Sequence, residues 1–572
     1  MNYKDVTVAG AGELANGQMK QVSAHGAEIL LSRIGGKFQA VGAHCPHYGA
    51  PLVDGVLSGE RIICPWHHAC FNGRTGDLIE PPALDALPRY EVKIENDQVI
   101  VRVPNGASDR RTPLMPKRDQ QDERVFVICG GGAAGYTAVQ TLREDGFTGR
   151  VLMITREKHV PYDRPNLSKE YLQGNAESAW LPLRSEEFFT ENNIEVIRGR
   201  EIKRIDAAVK TVTFADGESL RCDALLVATG GEPRKLPFQL ESQRNVFLLR
   251  SYDDSDAIIA AAEKGKRAIV IGASFIGMEV ASSLTARGCE VTVVAPDQWP
   301  FEKILGPEIG QLFHDVHEAQ GVKFRLGVSV TGMIGPERVT AVTLKNGEQL
   351  QADIVVVGVG VKPATAFLDG LALDRDGGVI VDEHMRAAEG VYAAGDIACF
   401  KSPLTGEHQR IEHWRTAMQQ GRTAAHNMAG KVVSYDSVPF FWTRQFDAGL
   451  LYVGHTQDWD AIIYQGEVTD QDFVALYVKQ NRVLAAAGMN RDREMAAIEE
   501  LMRLNRMPTA DQLKDGSGNF LELLKTTGSD DNSPATGIVA NEVIASGVTP
   551  QNSTWLTRRR RECHKQQLEQ EA

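Results

Sequence analysis

Two glycine-rich strand–turn–helix–strand units, 142 residues apart (272 − 130), constrain this chain more than any other feature. The first reads VFVICGGGAAGYTAVQTLREDGFTGRVLMITRE. Val125–Cys129 is a short apolar run, expected as a buried parallel strand. Gly130, Gly132 and Gly135 follow in GxGxxG spacing, with Ala134 inside the same turn. An apolar-periodic helix over 137–143 stops at Gly146, and a second strand over 151–154 ends near Glu157. The glycines let the turn close and bring backbone N–H groups to a pyrophosphate. Glu157, 22 residues after Gly135 (157 − 135), is placed to accept hydrogen bonds from a ribose diol. The second unit, RAIVIGASFIGMEVASSLTARGCEVTVV, repeats the order with Gly272, Ser274, Phe275, Ile276 and Gly277. Ser274 replaces the middle glycine, a change the turn tolerates. One GxGxxG alone also fits a glycine turn without ligand. Strand, helix, second strand and acid, present twice, point to two bound dinucleotides.

With 572 residues the chain is long enough for three or four domains. Its net charge is 62 − 75 = −13, so the bulk surface repels nucleic acid and anionic membranes. No apolar run is long enough to span a bilayer. The start, MNYKDVTVAGAGEL, lacks the pattern of a signal peptide, and eight cysteines are too few for a disulfide framework. The expected compartment is the reducing cytoplasm.

Residues 1–105 read as all-β, with a hairpin turning at Asn96-Asp97. Two loops, CPHYGAPLVDG and CPWHHACFNGRTGD, carry Cys45-x-His47 and Cys64-x-x-His67. A zinc Cys2His2 site is the alternative, but zinc fingers usually group their cysteines before their histidines. The mixed order suits a centre in which each loop supplies one thiolate and one imidazole. The pattern closely resembles the Rieske family. The resemblance implies a [2Fe–2S] cluster with Cys45 and Cys64 on one iron and His47 and His67 on the other. High-potential members add a disulfide and a Tyr hydroxyl near the cluster. Here the position after Gly49 is Ala50, and Phe71 stands where the Tyr would be, so a low potential is expected. His68 is read as a supporting or solvent-facing neighbour, and Cys70 as a buried thiol.

Residues 106–123 are polar and proline-containing, an expected linker. PYDRPNLSK at 161–169 and ATGGEPR at 228–234 follow the first dinucleotide unit, and VYAAGDIACF at 391–400 comes later. Together with VPFFWTRQFDAGLLYVG at 438–454 they resemble oxygenase-coupled ferredoxin reductases and apoptosis-inducing-factor-type flavoproteins. That resemblance implies FAD contacts from Arg164, Lys169, Thr229, Arg234 and Asp396. It also implies a helix over 410–430 aimed at the flavin, with His413 and Trp414 at its start. In the second unit it implies that Asp297 meets the adenosine ribose, Lys303 the phosphates, and Gly360 the nicotinamide. Lys169 pairs with Glu279 beside the flavin, and Trp442 joins the nicotinamide pocket. An acid at Asp297 favours NADH over NADPH. The alternative for Glu279 is a solvated helix charge; for Phe440 and Phe441 it is core packing.

The expected fold class is multidomain α/β with an all-β N-terminal domain. It comprises the Rieske β domain, two Rossmann-like domains for FAD and NAD, and an α+β C-terminal reductase domain. The expected divisions are 1–105 Rieske, 106–123 linker, 124–246 and 363–432 FAD-binding, 247–362 NAD(P)H-binding, 433–527 C-terminal, and 528–572 a disordered tail ending in TRRRRECHKQQLEQEA. The segment after Glu157 holds no cysteine pair, which disfavours dithiol chemistry. The implied activity is an NADH-dependent flavoprotein oxidoreductase. It passes electrons singly to its own cluster and on to a ferredoxin, an oxygenase or a cytochrome. The rival reading is an NADH-sensing redox-signalling protein with slow turnover. Monomer and homodimer both stay open.

Overall fold

The computed structural model describes residues 2–515 and 518–527. The expected tail, including Arg558–Arg561 and Cys563, lies outside the described residues.

The N-terminal region is all-β. A six-stranded antiparallel sheet runs in the order Tyr3–Gly10, Gln98–Pro104, Arg89–Glu95, Lys37–Gly42, Ala27–Ile34, Met19–Ala24. The hairpin between its Arg89–Glu95 and Gln98–Pro104 strands turns on Asn96 and Asp97, with φ of 50° and 58°. Both central residues are left-handed, as a twist-matched two-residue hairpin turn demands. A small sheet of four short strands, from Val56–Ser58 to Leu78–Glu80, carries the second Cys/His loop.

Val125–Cys129 is a buried central strand, paired in parallel with Arg150–Ile154 on one side and Ala224–Val227 on the other. The sheet continues to six strands, ending on Val391–Ala393 and Arg386–Ala388. The following helix starts at Ala133, earlier than the apolar periodicity suggests, because Gly132 already serves as its cap. Gly130 has φ +128°, and a Cβ on it would lie 2.0 Å from the carbonyl of Ala228. A Cβ on Gly135 would lie 1.9 Å from the carbonyl of Gly130. Only glycine permits these approaches, and Gly272 and Gly277 repeat them at 2.2 and 2.1 Å in the second unit. There Arg267–Ile271 sits in a five-stranded all-parallel sheet, followed by the helix Phe275–Ala286.

The helix expected over 410–430 runs from Trp414 to Met428. Its first expected residues do other work: His408–Arg410 pairs as a strand with Ala398–Lys401, and His413 is the helix cap. A five-stranded antiparallel sheet begins with Phe440–Gln445 and packs against the helix Asp492–Arg503. Residues 106–123 form no helix or strand of their own but are tied down at both ends. Arg111 and Ala86 exchange backbone hydrogen bonds of 2.9 Å, and Asp119 N–H reaches the Thr148 carbonyl at 2.9 Å.

Candidate active site: a dinucleotide cavity beside a Cys2His2 centre

The two Gly/Pro-rich loops bring four donor atoms together. The Nδ1 atoms of His47 and His67 face each other 3.2 Å apart. The thiols of Cys45 and Cys64 are buried and in hydrogen-bond contact. Burial pushes the Cys45 thiol well above its usual range, and the facing Cys64 adds to the shift. The thiol of Cys64 is equally buried yet lowered, by the bond from Cys45 and by the backbone N–H groups of His67 and Trp66. The paired thiols and the paired imidazoles are a donor set of the kind that could hold an iron–sulfur cluster.

A cavity of ≈ 580 Å³ lies where the FAD-type, NAD-type and C-terminal units meet, in the size range of ligand sites. Gly130, Gly132 and Ala134 line it, as do Glu157, Arg164, Lys169, Thr229 and Asp396. So do His413 and Trp414, and from the second unit Ser274, Phe275, Ile276, Glu279 and Gly360. A Cβ on Gly132 would meet nothing within 4 Å, which leaves the turn open to a close ligand. Arg164 donates to Glu157 at 2.9 Å. Lys169 donates to Glu279 at 2.7 Å, and both side chains are buried. Glu279 is therefore not a solvated charge. His413 leaves its buried Nδ1 without a partner, and burial holds its imidazole down at about 3, hence neutral. The helix it caps has no side-chain cap bond, so its first-turn N–H groups stay available at the cavity.

Trp442 connects the two sites. Its indole is 4.5 Å from the His67 ring and 6.3 Å from His47, centroid to centroid, and it also lines the cavity. Strand alternation turns Phe441 the other way, where it meets Phe275 and His413, both at 4.6 Å. Phe440 is core, stacked 4.1 Å from His68. Tyr48 stacks on His47 at 3.8 Å and donates its hydroxyl to Asp163 of the PYDRPN loop at 2.5 Å.

Buried charges hold the N-terminal domain in this position. Arg184 donates to Asp85 at 2.6 Å. Fully buried Arg415 donates to Glu499 at 2.7 Å, Glu80 at 3.0 Å and the His68 carbonyl at 2.9 Å. His68 itself is fully buried and bonded through Nδ1 to Glu499. Of the two readings of His68, the structure selects the supporting one.

Three family models match the chain in succession. The Rieske [2Fe–2S] domain model matches residues 4–91, the pyridine nucleotide-disulphide oxidoreductase model 124–421, and the reductase C-terminal model 440–524. The chain belongs to the pyridine nucleotide-disulphide oxidoreductase family and carries a Rieske domain. This oxidoreductase is 39% identical to apoptosis-inducing factor 3 of Homo sapiens, over 88% of the chain and 84% of that protein. It is 32% identical to putidaredoxin reductase CamA of Pseudomonas putida, over 68% of the chain and 93% of that protein. The solved covalent putidaredoxin reductase–putidaredoxin complex superposes with a TM-score of 0.67 at 31% identity, covering 71% of this chain and all of that one. The protein is thus a ferredoxin-reductase-like, NAD-dependent flavoprotein oxidoreductase. FAD fits the cavity through the open Gly132 turn and the unpartnered His413 nitrogen. A Rieske cluster fits the S2N2 donor set.

Several expected contacts of this oxidoreductase lie off the cavity wall. Gly135, Gly272 and Gly277 shape the turns from behind. Exposed Arg234 bonds the Val361 carbonyl at 3.0 Å. Lys303 pairs with Asp297 at 2.6 Å beyond the second turn. Motif reading did not single out Arg250, which lines the cavity and bonds Asp396 at 2.6 Å, nor Tyr48, Arg415 or Thr443. None belongs to a spacing pattern, and each takes its role from a contact across domains.

Proposed function

We propose that this oxidoreductase moves electrons from NADH through FAD to its own Rieske cluster, and from there to a one-electron protein acceptor. The carrying observation is Trp442, which touches His67 while forming part of the cavity wall. FAD would supply conversion of a two-electron hydride into single electrons, and the cluster a one-electron store.

The chain's residues provide the setting. Cys45, Cys64, His47 and His67 hold the cluster. Glu157, Arg164, Thr229 and Asp396 fix the FAD, with Arg250 holding the carboxylate of Asp396. Lys169 and Glu279 set the field at the hydride-accepting end. Phe275, Phe441 and Gly360 bound the nicotinamide and exclude water. NADH is preferred because Asp297 repels a 2′-phosphate. The acceptor follows from the relatives: their names include putidaredoxin reductase and a dioxygenase ferredoxin–NAD(+) reductase component. The workplace is a reducing cytoplasm, consistent with seven free cysteines among the described residues. No helix among the described residues is long and apolar enough to cross a membrane.

A second reading, a slow NADH-responsive signalling protein, draws on the identity to apoptosis-inducing factor 3. Steady-state turnover separates the two. Fast NADH oxidation with cytochrome c or ferredoxin, lost in the cluster-free Cys64→Ser protein, supports electron transfer. A long-lived reduced complex with negligible turnover supports signalling.

A further inference from the structure

The ion pair of Lys169 and Glu279 has a third member from a different domain. Thr443, 2% exposed, donates its hydroxyl to Glu279 Oε1 at 2.7 Å. The other oxygen, Oε2, accepts from Lys169 Nζ at 2.7 Å and from the Ser168 hydroxyl at 2.5 Å. Behind Thr443, fully buried Gln445 donates Nε2 to Thr443 Oγ1 at 3.1 Å. A hydroxyl has one proton. With an amide N–H on its oxygen, the Thr443 proton is committed to the carboxylate. The order of donors also fixes the amide: only with nitrogen toward Thr443 does the chain of bonds run one way.

We infer that Thr443, oriented by Gln445, is a positioning residue through which the C-terminal domain sets Glu279, and through it Lys169, at the hydride-accepting end of the cavity. The inference rests on the proposed roles of Lys169 and Glu279. Two parts of the chain, the 164–168 turn with Lys169 and the Phe440–Gln445 strand, meet at a carboxylate carried by a third, the Phe275–Ala286 helix. Without Thr443 the carboxylate keeps both donors on one oxygen and is free to rotate about its terminal bond. Charge-assisted hydrogen bonds are the strong ones, and the bond from Thr443 is the one that holds Oε1 in place. The charged group facing Glu279 is Lys169; Ser168, Thr443 and Gln445 are neutral. His317, from the neighbouring helix, bonds the backbone carbonyl of Met278 instead.

The strand position adds meaning. Thr443 follows Trp442 directly, and alternation sends their side chains to opposite faces, one to Glu279 and one to His67. Two adjacent residues of the C-terminal domain thus touch the entry and exit ends of the electron route.

The test uses the full-length holoprotein with Thr443→Val and Thr443→Ser. Valine keeps the β-branched shape and removes the hydroxyl. The Val variant should bind NAD+ about tenfold more weakly by calorimetric titration, a loss of about 1.4 kcal/mol. Its rate of flavin reduction at saturating NADH should fall about tenfold as well. The Ser variant should restore both to within about twofold of the parent. Gln445→Leu leaves Thr443 in place and should give a smaller shift of the same sign; it serves if the Val variant does not fold. Unchanged NAD+ affinity and an unchanged rate of flavin reduction in the Val and Leu variants would overturn the inference. So would a Ser variant as impaired as Val, which would indicate packing alone. Lys169→Ala and Glu279→Gln are run beside them. If these also change nothing, the proposed site roles fail; if they act and Thr443 does not, this inference alone fails.

Discussion

The indole of Trp442 stands 4.5 Å from the imidazole of His67, on the wall that separates the metal centre from the dinucleotide cavity. A single side chain touches His67 and lines the cavity, and the proposed electron route runs past it. Replacing Trp442 with Leu removes part of the cavity wall as well as the contact with His67, so NADH-driven flavin reduction should slow modestly. Transfer onward to the cluster should slow at least about tenfold, equivalent to ~1.4 kcal/mol of barrier. Anaerobic stopped-flow absorbance separates the two phases.

If Cys45, Cys64, His47 and His67 are the ligands, cluster assembly should depend on each of them. Cys45→Ser, Cys64→Ser, His47→Ala and His67→Ala should each lose the iron and the Rieske absorption while retaining flavin. Iron and flavin analysis of the purified variants checks this. A variant that kept full iron would remove that residue from the ligand set.

Docking depends on Arg415. It joins the N-terminal domain, the flavin-side helix and the C-terminal helix through Glu80, Glu499 and the His68 carbonyl. Arg415→Met removes the cation shared by Glu80 and Glu499, leaving Glu80 with Arg61 and Glu499 with His68, a change of at most about 3–5 kcal/mol for breaking a buried pair. The expected results are a lower melting transition and faster proteolysis within 106–123, with the cluster still present.

The same contact predicts an acid limit. The Glu80 carboxyl is buried, which alone would raise it, but Arg415 and Arg61 bring it down to about 2 from 4.5. A depressed carboxyl stabilises the fold fully above its unfolded value and loses that contribution as pH falls toward the folded one. Docking should therefore weaken from about pH 4.5 down toward 2, and the Arg415→Met protein should show less of this dependence. Tryptophan fluorescence, with Trp442 at the interface, follows it.

The proposed preference for NADH rests on Asp297. Its removal in Asp297→Ala leaves Lys303, now its partner at 2.6 Å, available to a 2′-phosphate. The kcat/KM ratio of NADH to NADPH should fall about tenfold, which is ~1.4 kcal/mol.

Much of the architecture was legible because its signals are local. Glycine at 130, 135, 272 and 277 is imposed by carbonyls within a few residues or on the adjacent strand, so the fingerprint carries its own reason. Cys45-x-His47 and Cys64-x-x-His67 are equally self-contained. The helix near Trp414 began later than its amphipathic pattern suggested, since Arg410 was already committed to a strand. The interdomain contacts were not legible. Arg415 and Glu80 are 335 residues apart, and no periodicity links them. Trp442 came by resemblance to a nicotinamide pocket, and only the docked N-terminal domain reveals its contact with His67. Buried His68 illustrates the same limit: its place beside a ligand left it either supporting or solvent-facing, and Glu499 could not be guessed.

The most direct test of the account is an anaerobic NADH titration of the full-length protein, followed by visible absorption and EPR. The account predicts that flavin absorbance bleaches and a reduced Rieske signal grows as NADH is added, with no other donor present. Bleached flavin beside a cluster that stays oxidised at excess NADH would contradict it, and would make the Rieske centre something other than the outlet of this flavin.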